Sequence, residues 1–297
     1  MKFGLYATVS GLALVGGFAP ALAAGSDFTG VLQLNIGRVS ADGTPFSDDP
    51  TIYGGKAKGL WPLSNDIHLQ VDLFAEEQSD VISDWAGPGS SDASLLGGAV
   101  HLLHPFENRA RFGLAGSIWS TDVFGPFGSG QSDATFGLVA VEGQFFGTDW
   151  TVMGQAGTFT SFDCGSGGEG CDSALEDGQF IRGDVRYFLR DNTVLSVEAL
   201  RMWGGREDDI FGAKAMDYSR WVLEAEHRFE SSQFSIFGNV SQESFDTVNA
   251  TGVMVGVKFY IDEASLRSND RSGAELDTPT FGIAPTVSGT SGIFIGP

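Results

Sequence analysis

The chain has 297 residues, with 38 acidic against 17 basic side chains and a formal net charge of −21. Because so acidic a surface repels a phosphate backbone, nucleic acid is not an expected partner. Glycine (42 residues) and phenylalanine (24) are abundant and proline (10) is sparse, a composition that favours antiparallel strands over helices.

The first 23 residues have the features of a cleavable signal peptide. Lys2 supplies a positive charge, residues 4–18 are uncharged and largely apolar, and Ala21-Leu22-Ala23 offers a small-x-small cleavage pattern. A membrane anchor is the alternative, but the apolar stretch is short, is interrupted by glycine and ends at Pro20. No run of roughly 18 apolar residues follows, so no transmembrane helix is expected. We therefore expect an exported protein.

Alternation of apolar and polar residues with a period of two predicts twelve strands after the signal peptide. Each is long enough to cross a bilayer, which needs about 9–11 tilted residues. The predicted strands are 28–39, 51–62, 65–76, 92–104, 108–120, 133–145, 149–161, 178–190, 192–204, 216–229, 232–243 and 250–262.

The connections between these strands alternate in length. This alternation is typical of an outer-membrane barrel, which has short periplasmic turns, longer external loops and both chain ends on the turn side. A soluble β-sandwich would show shorter strands and no such alternation. The short connections are 62–65, 105–107, 147–148, 191 and 230–231, and the long ones are 40–50, 77–91, 121–132, 162–177, 205–215 and 244–249.

The two faces of the predicted strands differ in polarity. In the eighth strand Arg182, Asp184 and Arg186 share one face, opposite Ile181 and Val185. The charged face must look into a lumen, because the apolar face would otherwise meet water. All tryptophans except Trp85 fall near predicted strand ends, and together with Phe146, Tyr187, Phe229 and Phe259 they indicate two aromatic girdles. The predicted fold is therefore an all-β, antiparallel up-and-down transmembrane β-barrel of about 12 strands.

This architecture, with the aromatic-ended last strand Val253–Tyr260, resembles the Gram-negative outer-membrane β-barrels of the porin-like class over residues 27–262. The resemblance implies a place in the cell outer membrane, contact with membrane lipid and lipopolysaccharide, and recognition of the last strand by the barrel-assembly machinery. The chain departs from the pattern because a tail follows that strand. No subfamily motif is present, so no functional residue is carried over and the oligomeric state stays open.

The expected domains are a signal peptide (1–23), the barrel (24–262) and a flexible periplasmic tail (263–297). The tail begins charged and becomes rich in Gly, Ser, Thr and Pro, which favours disorder. A plug in the lumen or a contact with the cell wall is the alternative.

The predicted inward face, on which Arg109 also falls, contains more basic than acidic side chains. We expect a narrow porin-like channel for passive transport of small anionic or zwitterionic solutes. A network of ion pairs that merely fills a closed structural barrel is the alternative. The candidate pore-lining residues are Lys56, Lys58, His68, Asp72, Arg111, Glu142, Arg182, Asp184, Arg186, Glu198, Arg220, Glu224 and Lys258.

Two cysteines lie close together, Cys164 and Cys171. Because an exported chain meets an oxidising compartment, they are expected to form a disulfide that closes a small external loop. The CxxC spacing of a redox pair is missing, and so are neighbouring histidines that could complete a zinc site. No metal and no cofactor is expected.

The long loops are acidic, as at Asp48, Asp84 and Glu207. A closed surface barrel whose loops bind an external partner, or lipopolysaccharide through divalent cations, is therefore the alternative function; the loops could also be merely solvated. An enzyme is not expected. His101 and His104 point to opposite faces, and no serine can be placed beside an inward histidine from sequence.

Overall fold

The structure is a computed structural model that describes residues 28–42, 50–64, 66–82, 91–107, 109–124, 131–164, 177–206, 214–245, 248–261 and 264–279. Twelve antiparallel strands pair in chain order, and the first strand also pairs with the last, so the sheet closes into a barrel. The strands are β1 (Thr29–Asp42), β2 (Thr51–Ser64), β3 (Ile67–Ile82), β4 (Ser91–Phe106), β5 (Ala110–Phe124), β6 (Gln131–Phe146), β7 (Trp150–Cys164), β8 (Asp177–Arg190), β9 (Thr193–Arg206), β10 (Lys214–Arg228), β11 (Phe234–Phe245) and β12 (Val248–Ile261).

The predicted fold is confirmed, and the main difference lies at the loop ends of the strands. The third strand was expected to end at residue 76, whereas β3 continues to Ile82. Alternation fades there because residues 76–80 are polar on both faces. Backbone pairing needs only a neighbouring strand, so the ladder continues beyond the apolar zone.

The outward faces of the strands form an apolar belt. Large side chains on it remain exposed, among them Val139 (63 %), Ile181 (55 %) and Val255 (55 %). A belt of this kind is not compatible with water but suits the hydrocarbon of a bilayer. Within the residues described, no helix is both long enough and apolar enough to cross a membrane.

The aromatic girdles are only partly as expected. Trp150 and Trp203 are exposed at the turn and loop ends of their strands. Trp119, in contrast, is buried in the lumen and stacks on Phe136 with ring centroids 5.6 Å apart. Phe146 also faces inward, beneath the guanidinium group of Arg111. Proximity to a strand end therefore did not predict the face, because only the register with the neighbouring strands fixes it.

After β12 the chain forms a short helix, α1 (Leu266–Ser272), and then an extended stretch inside the barrel. A capping box starts the helix: the Ser265 hydroxyl accepts from the Ser268 amide (3.1 Å), and the Ser265 amide donates to the Ser268 hydroxyl (2.9 Å). Residues 264–279 thus differ from the flexible tail expected from residue 263. Residues 1–23 and 280–297 lie outside the described residues.

The apolar belt leads to a prediction about how the cost of a charged side chain depends on its depth in the bilayer. Val139→Arg places a charge near the middle of β6, which should lower the free energy of unfolding by about 2–4 kcal/mol. Thr251→Arg, near the loop end of β12, should cost about 0–1 kcal/mol. Chemical denaturation of the protein in lipid vesicles measures both. Equal costs for the two variants would contradict the assignment of this belt to the bilayer.

Candidate functional site: the lumen and the segment inside it

The inward face of the barrel has three zones. Near the short turns apolar clusters around Leu60 and Phe188 lie beside polar groups such as Thr151 and Arg228, the middle is charged, and near the long loops the face is largely apolar. The loop-side zone is a buried cluster in which large aromatic and aliphatic side chains fill part of the lumen. Its largest members are Phe74, Trp119, Phe136, Phe159, Phe180, Met202 and Tyr218.

Residues 264–279, here named the lumenal segment, enter the barrel from the turn side. The side chain of Leu266 packs with Val31, Phe188, Val194 and Tyr260 in a buried cluster that draws on strands β1, β8, β9 and β12. This cluster closes one side of the turn-side end of the barrel.

Two arginines of α1 fix it to the short turns. The Arg267 side chain forms ion pairs with Asp149 (3.1 Å) and Asp191 (3.3 Å). The Arg271 guanidinium donates to the main-chain oxygens of Gly147 (2.5 Å) and Thr148 (2.7 Å). The helix is therefore held at the β6–β7 and β8–β9 turns, on the short-turn side of the barrel.

In the charged zone, two wall arginines hold the segment after the helix. Arg186 Nη1 lies 3.0 Å from an Asp270 carboxylate oxygen and 2.8 Å from a Glu275 carboxylate oxygen. Arg111 donates to the main-chain oxygens of Asp270 (2.5 Å) and Gly273 (3.1 Å). Both arginines are largely buried, so these contacts are shielded from water.

Asp277 is held from two sides. Its carboxylate Oδ1 accepts from Lys58 Nζ (2.8 Å) and Lys56 Nζ (3.3 Å), both on β2. Its main-chain oxygen accepts from Arg182 Nη1 (2.6 Å) and Gln155 Nε2 (3.0 Å), on the opposite part of the wall. The segment thus spans the lumen from β2 to β7 and β8.

Apolar and neutral contacts complete the docking of the segment. Leu276 and Ala274 pack with Leu60, Leu103 and Met153. Beyond them the Thr278 hydroxyl lies 3.2 Å from His101 Nε2.

Two carboxylates of the barrel wall hold the imidazole ring of His101 from both sides. Glu142 lies 3.0 Å from Nδ1 and Asp72 lies 3.4 Å from Nε2, and the side chain is fully buried. His101 was not among the candidate pore-lining residues, although its alternation with the exposed His104 places it on the lumen face.

The two docked aspartates respond differently to burial. Burial raises the pKa of the Asp270 carboxyl, and the guanidinium groups of Arg186 and Arg111 oppose this shift. Burial acts in the same direction on Asp277, but Lys56, Lys58 and Arg182 outweigh it and hold the pKa of that carboxyl well below its ordinary value. Asp277 is therefore ionised in this position.

The remaining candidate residues also lie on the inward face, mostly in ion pairs with one another. Glu198 lies between Arg182 (2.5 Å) and Arg220 (2.9 Å). Lys258 lies 3.1 Å from Glu224, and Asp184 pairs with Arg186 at 2.8 Å. His68 is half-buried near the turn side.

The expected excess of basic over acidic side chains in the lumen is confined to one part of the wall. Arg109, projected inward from the sequence, is exposed in a turn, because β5 begins only at Ala110. Glu76 and Glu243, not expected on the inward face, line the cavity. The excess is concentrated where the wall faces the lumenal segment, at Lys56, Lys58 and Arg111.

A cavity of about 240 Å³ remains beside the segment. The lumenal residues Leu266, Asp270 and Asp277 line it at one end, and the loop-side residues Arg38 and Glu243 line it at the other. The segment therefore lies between this cavity and the turn-side end of the barrel.

No protein-family model matches the chain, and no curated protein matches it. Among solved structures, it is similar to an outer membrane channel from Pseudomonas putida F1, with 13 % identity and a TM-score of 0.56, over 79 % of this chain and 95 % of that one. A second similar structure is the translocator domain of the autotransporter NalP from Neisseria meningitidis (12 % identity, TM-score 0.48, 85 % and 96 % covered).

This chain is an outer-membrane β-barrel. The closed antiparallel sheet, the apolar belt and the likeness in fold agree on this point. Cys171 and the tips of the acidic loops lie outside the described residues, so the disulfide with Cys164 and the binding of lipopolysaccharide through cations stay predictions.

The residues that sequence reasoning missed are mainly those of the segment, Asp270, Glu275 and Asp277. A signal was present: these three carboxylates lie within the 16 residues that follow the last strand, and the inward face contains an excess of basic groups. The alternative of a plug in the lumen agrees with their position. Thr151 and Gln155, which bond the segment, were missed because uncharged polar residues are common on any lumen face.

The Leu266 cluster yields a prediction about docking of the helix. Leu266→Ala should lower the free energy that holds the lumenal segment in place by about 2–5 kcal/mol, because packing is lost. Because cleavage follows the population of the open form, trypsin should cut after Arg267 and Arg271 at least about tenfold faster. Leu63→Ala, at an exposed turn position, is the control. An unchanged cleavage rate in Leu266→Ala would contradict the docking described.

Proposed function

We propose that the protein is an outer-membrane channel for small anionic or zwitterionic solutes, closed by its own lumenal segment in the described state. The observation that supports this proposal is the cavity, lined by Lys56, Arg182 and Lys258 and bounded on the turn side by residues 264–279. A solute that enters from the loop side would meet these basic groups first and the segment next.

Removal of the segment would leave the barrel intact. The strand ladder is continuous around the wall without it. The segment buries few large apolar side chains, chiefly Leu266 and Leu276, each contributing about 1.5–3 kcal/mol. Its other contacts are ion pairs and hydrogen bonds, whose net contribution is small when water or another ligand can replace them. Reversible withdrawal is therefore compatible with a stable barrel.

A closed structural barrel is the second candidate. The observation in its favour is the loop-side aromatic cluster, in which Trp119 and Phe136 stack inside the lumen. In that case the ion pairs of the charged zone hold the wall together, and the segment completes the packing.

Conductance in planar bilayers separates the two candidates. A variant that lacks residues 264–297 should show a steady ion current several times that of the full chain, because the turn-side obstruction is gone. Near-ultraviolet circular dichroism checks that this variant folds. A folded variant that passes no current would exclude the channel and favour the closed barrel.

The basic wall should set the preference for anions. In the variant without the segment, Arg182→Gln together with Arg186→Gln should shift the reversal potential in a salt gradient toward cation preference. Arg201→Gln is the matched control, because Arg201 is exposed and pairs with Asp217 outside the lumen. An equal reversal potential in both variants would refute the role of Arg182 and Arg186.

A further inference from the structure

We propose that Lys56 and Lys58 form a binding site for small organic carboxylates, which Asp277 occupies in the closed state. This inference rests on the proposed channel function and names the chemistry of its solute. A carboxylate solute would take the place of the Asp277 side chain when the segment withdraws.

The first support is that these two lysines lack a partner on the wall. Among the ion pairs of the described residues, those of Lys56 and Lys58 are both with Asp277. Two other cations of the charged zone pair with wall carboxylates: Arg186 with Asp184, and Lys258 with Glu226 at 2.7 Å. Asp72, opposite Lys58 in the ladder, pairs with His101 at 3.4 Å rather than with the lysine. Withdrawal of the segment therefore leaves Arg186 and Lys258 paired but leaves the two lysines without an ion pair.

The second support is burial. The Lys58 side chain is only 8 % exposed, and a buried ammonium group without a counter-charge is costly. Withdrawal of the segment therefore favours the binding of another anion beside the Lys58 ammonium group. A solute that supplies a carboxylate lowers the free energy of the open state, and so favours opening.

The third support is that the contacts of Asp277 separate into two groups. Arg182 and Gln155 bind its main-chain oxygen, whereas the lysines converge on one carboxylate oxygen. The lysine site therefore recognises the carboxylate alone, and a free carboxylate could satisfy it without the peptide backbone.

Because the segment is attached to the barrel, its carboxylate competes with any free carboxylate for the lysine site. A tethered carboxylate acts at an effective concentration on the order of millimolar. Free carboxylates bind only to molecules whose site is vacant. Their apparent dissociation constant in the wild type is therefore the intrinsic one divided by the vacant fraction. Entry would therefore respond to the concentration of the solute outside.

The test is competition by free acetate in the full-length protein. Acetate should bind the two lysines only when the segment has withdrawn, so sodium acetate at ten times the dissociation constant measured with Asp277→Ala should speed trypsin cleavage of the wild type after Arg267 and Arg271 about tenfold. Sodium chloride at the same ionic strength should not. Asp277→Ala, which lacks the tethered carboxylate, should be cleaved at least about threefold faster than the wild type without any acetate.

Two control variants define the site. Lys58→Gln should lose the response to acetate, because the buried ammonium group is gone. In Asp277→Ala the lysines are unpaired in the docked state as well, so acetate should bind without speeding cleavage. A wild-type cleavage rate unchanged by acetate, equal acceleration by chloride, or acceleration that persists with Lys58→Gln would overturn the proposal. If Asp277→Ala does not fold, Asp277→Gly replaces it in the same assay.

Calorimetric titration of acetate into Asp277→Ala separates this inference from the channel proposal. Binding that depends on Lys58 supports the site even where bilayers show no current, in which case only the channel fails. Current through the variant lacking 264–297, without any acetate binding to Asp277→Ala, leaves the channel standing and refutes the carboxylate site.

Discussion

The pairing of β1 with β12 is the constraint on which the rest of the structure depends. In hydrocarbon every unpaired backbone group costs several kcal/mol, so the sheet must close on itself. The register of that closure sets Gln33 beside Lys258 and Asn35 beside Gly256, on the inward face. Because side chains alternate along each strand, closure assigns every residue to lipid or lumen at once.

Closure also concentrates the charged side chains in a narrow space. Most of them neutralise one another across neighbouring strands, as Arg220 and Glu198 do between β10 and β9. Lys58 is opposite Asp72 in the ladder, but its ion pair is with Asp277 of the segment. The charges of the wall and of the lumenal segment therefore complement one another, and the position of the segment follows from the charge of the wall.

Much of the fold could be predicted from sequence, because strand alternation and connection length are local signals. The two faces of β8 were predicted correctly from alternation alone. Trp119 and Phe146 were misplaced, because an aromatic residue near a strand end suits either an interface or a packed lumen. The docking of residues 264–279 could not be derived, since their contacts with Lys56, Arg111 and Arg182 join distant parts of the chain.

The segment has the combination of contacts that a removable plug requires. Its helix is held at the rim by Arg267 and Arg271, which bond the turns and can exchange these partners for water at little cost. Its extended part carries the carboxylate that pairs with Lys56 and Lys58. Release therefore costs the packing of Leu266 and the contacts of Lys58 and Arg111 with the segment. A ligand that pairs with Lys58 removes one part of this cost, so occupancy of this ammonium group shifts the equilibrium toward the open state.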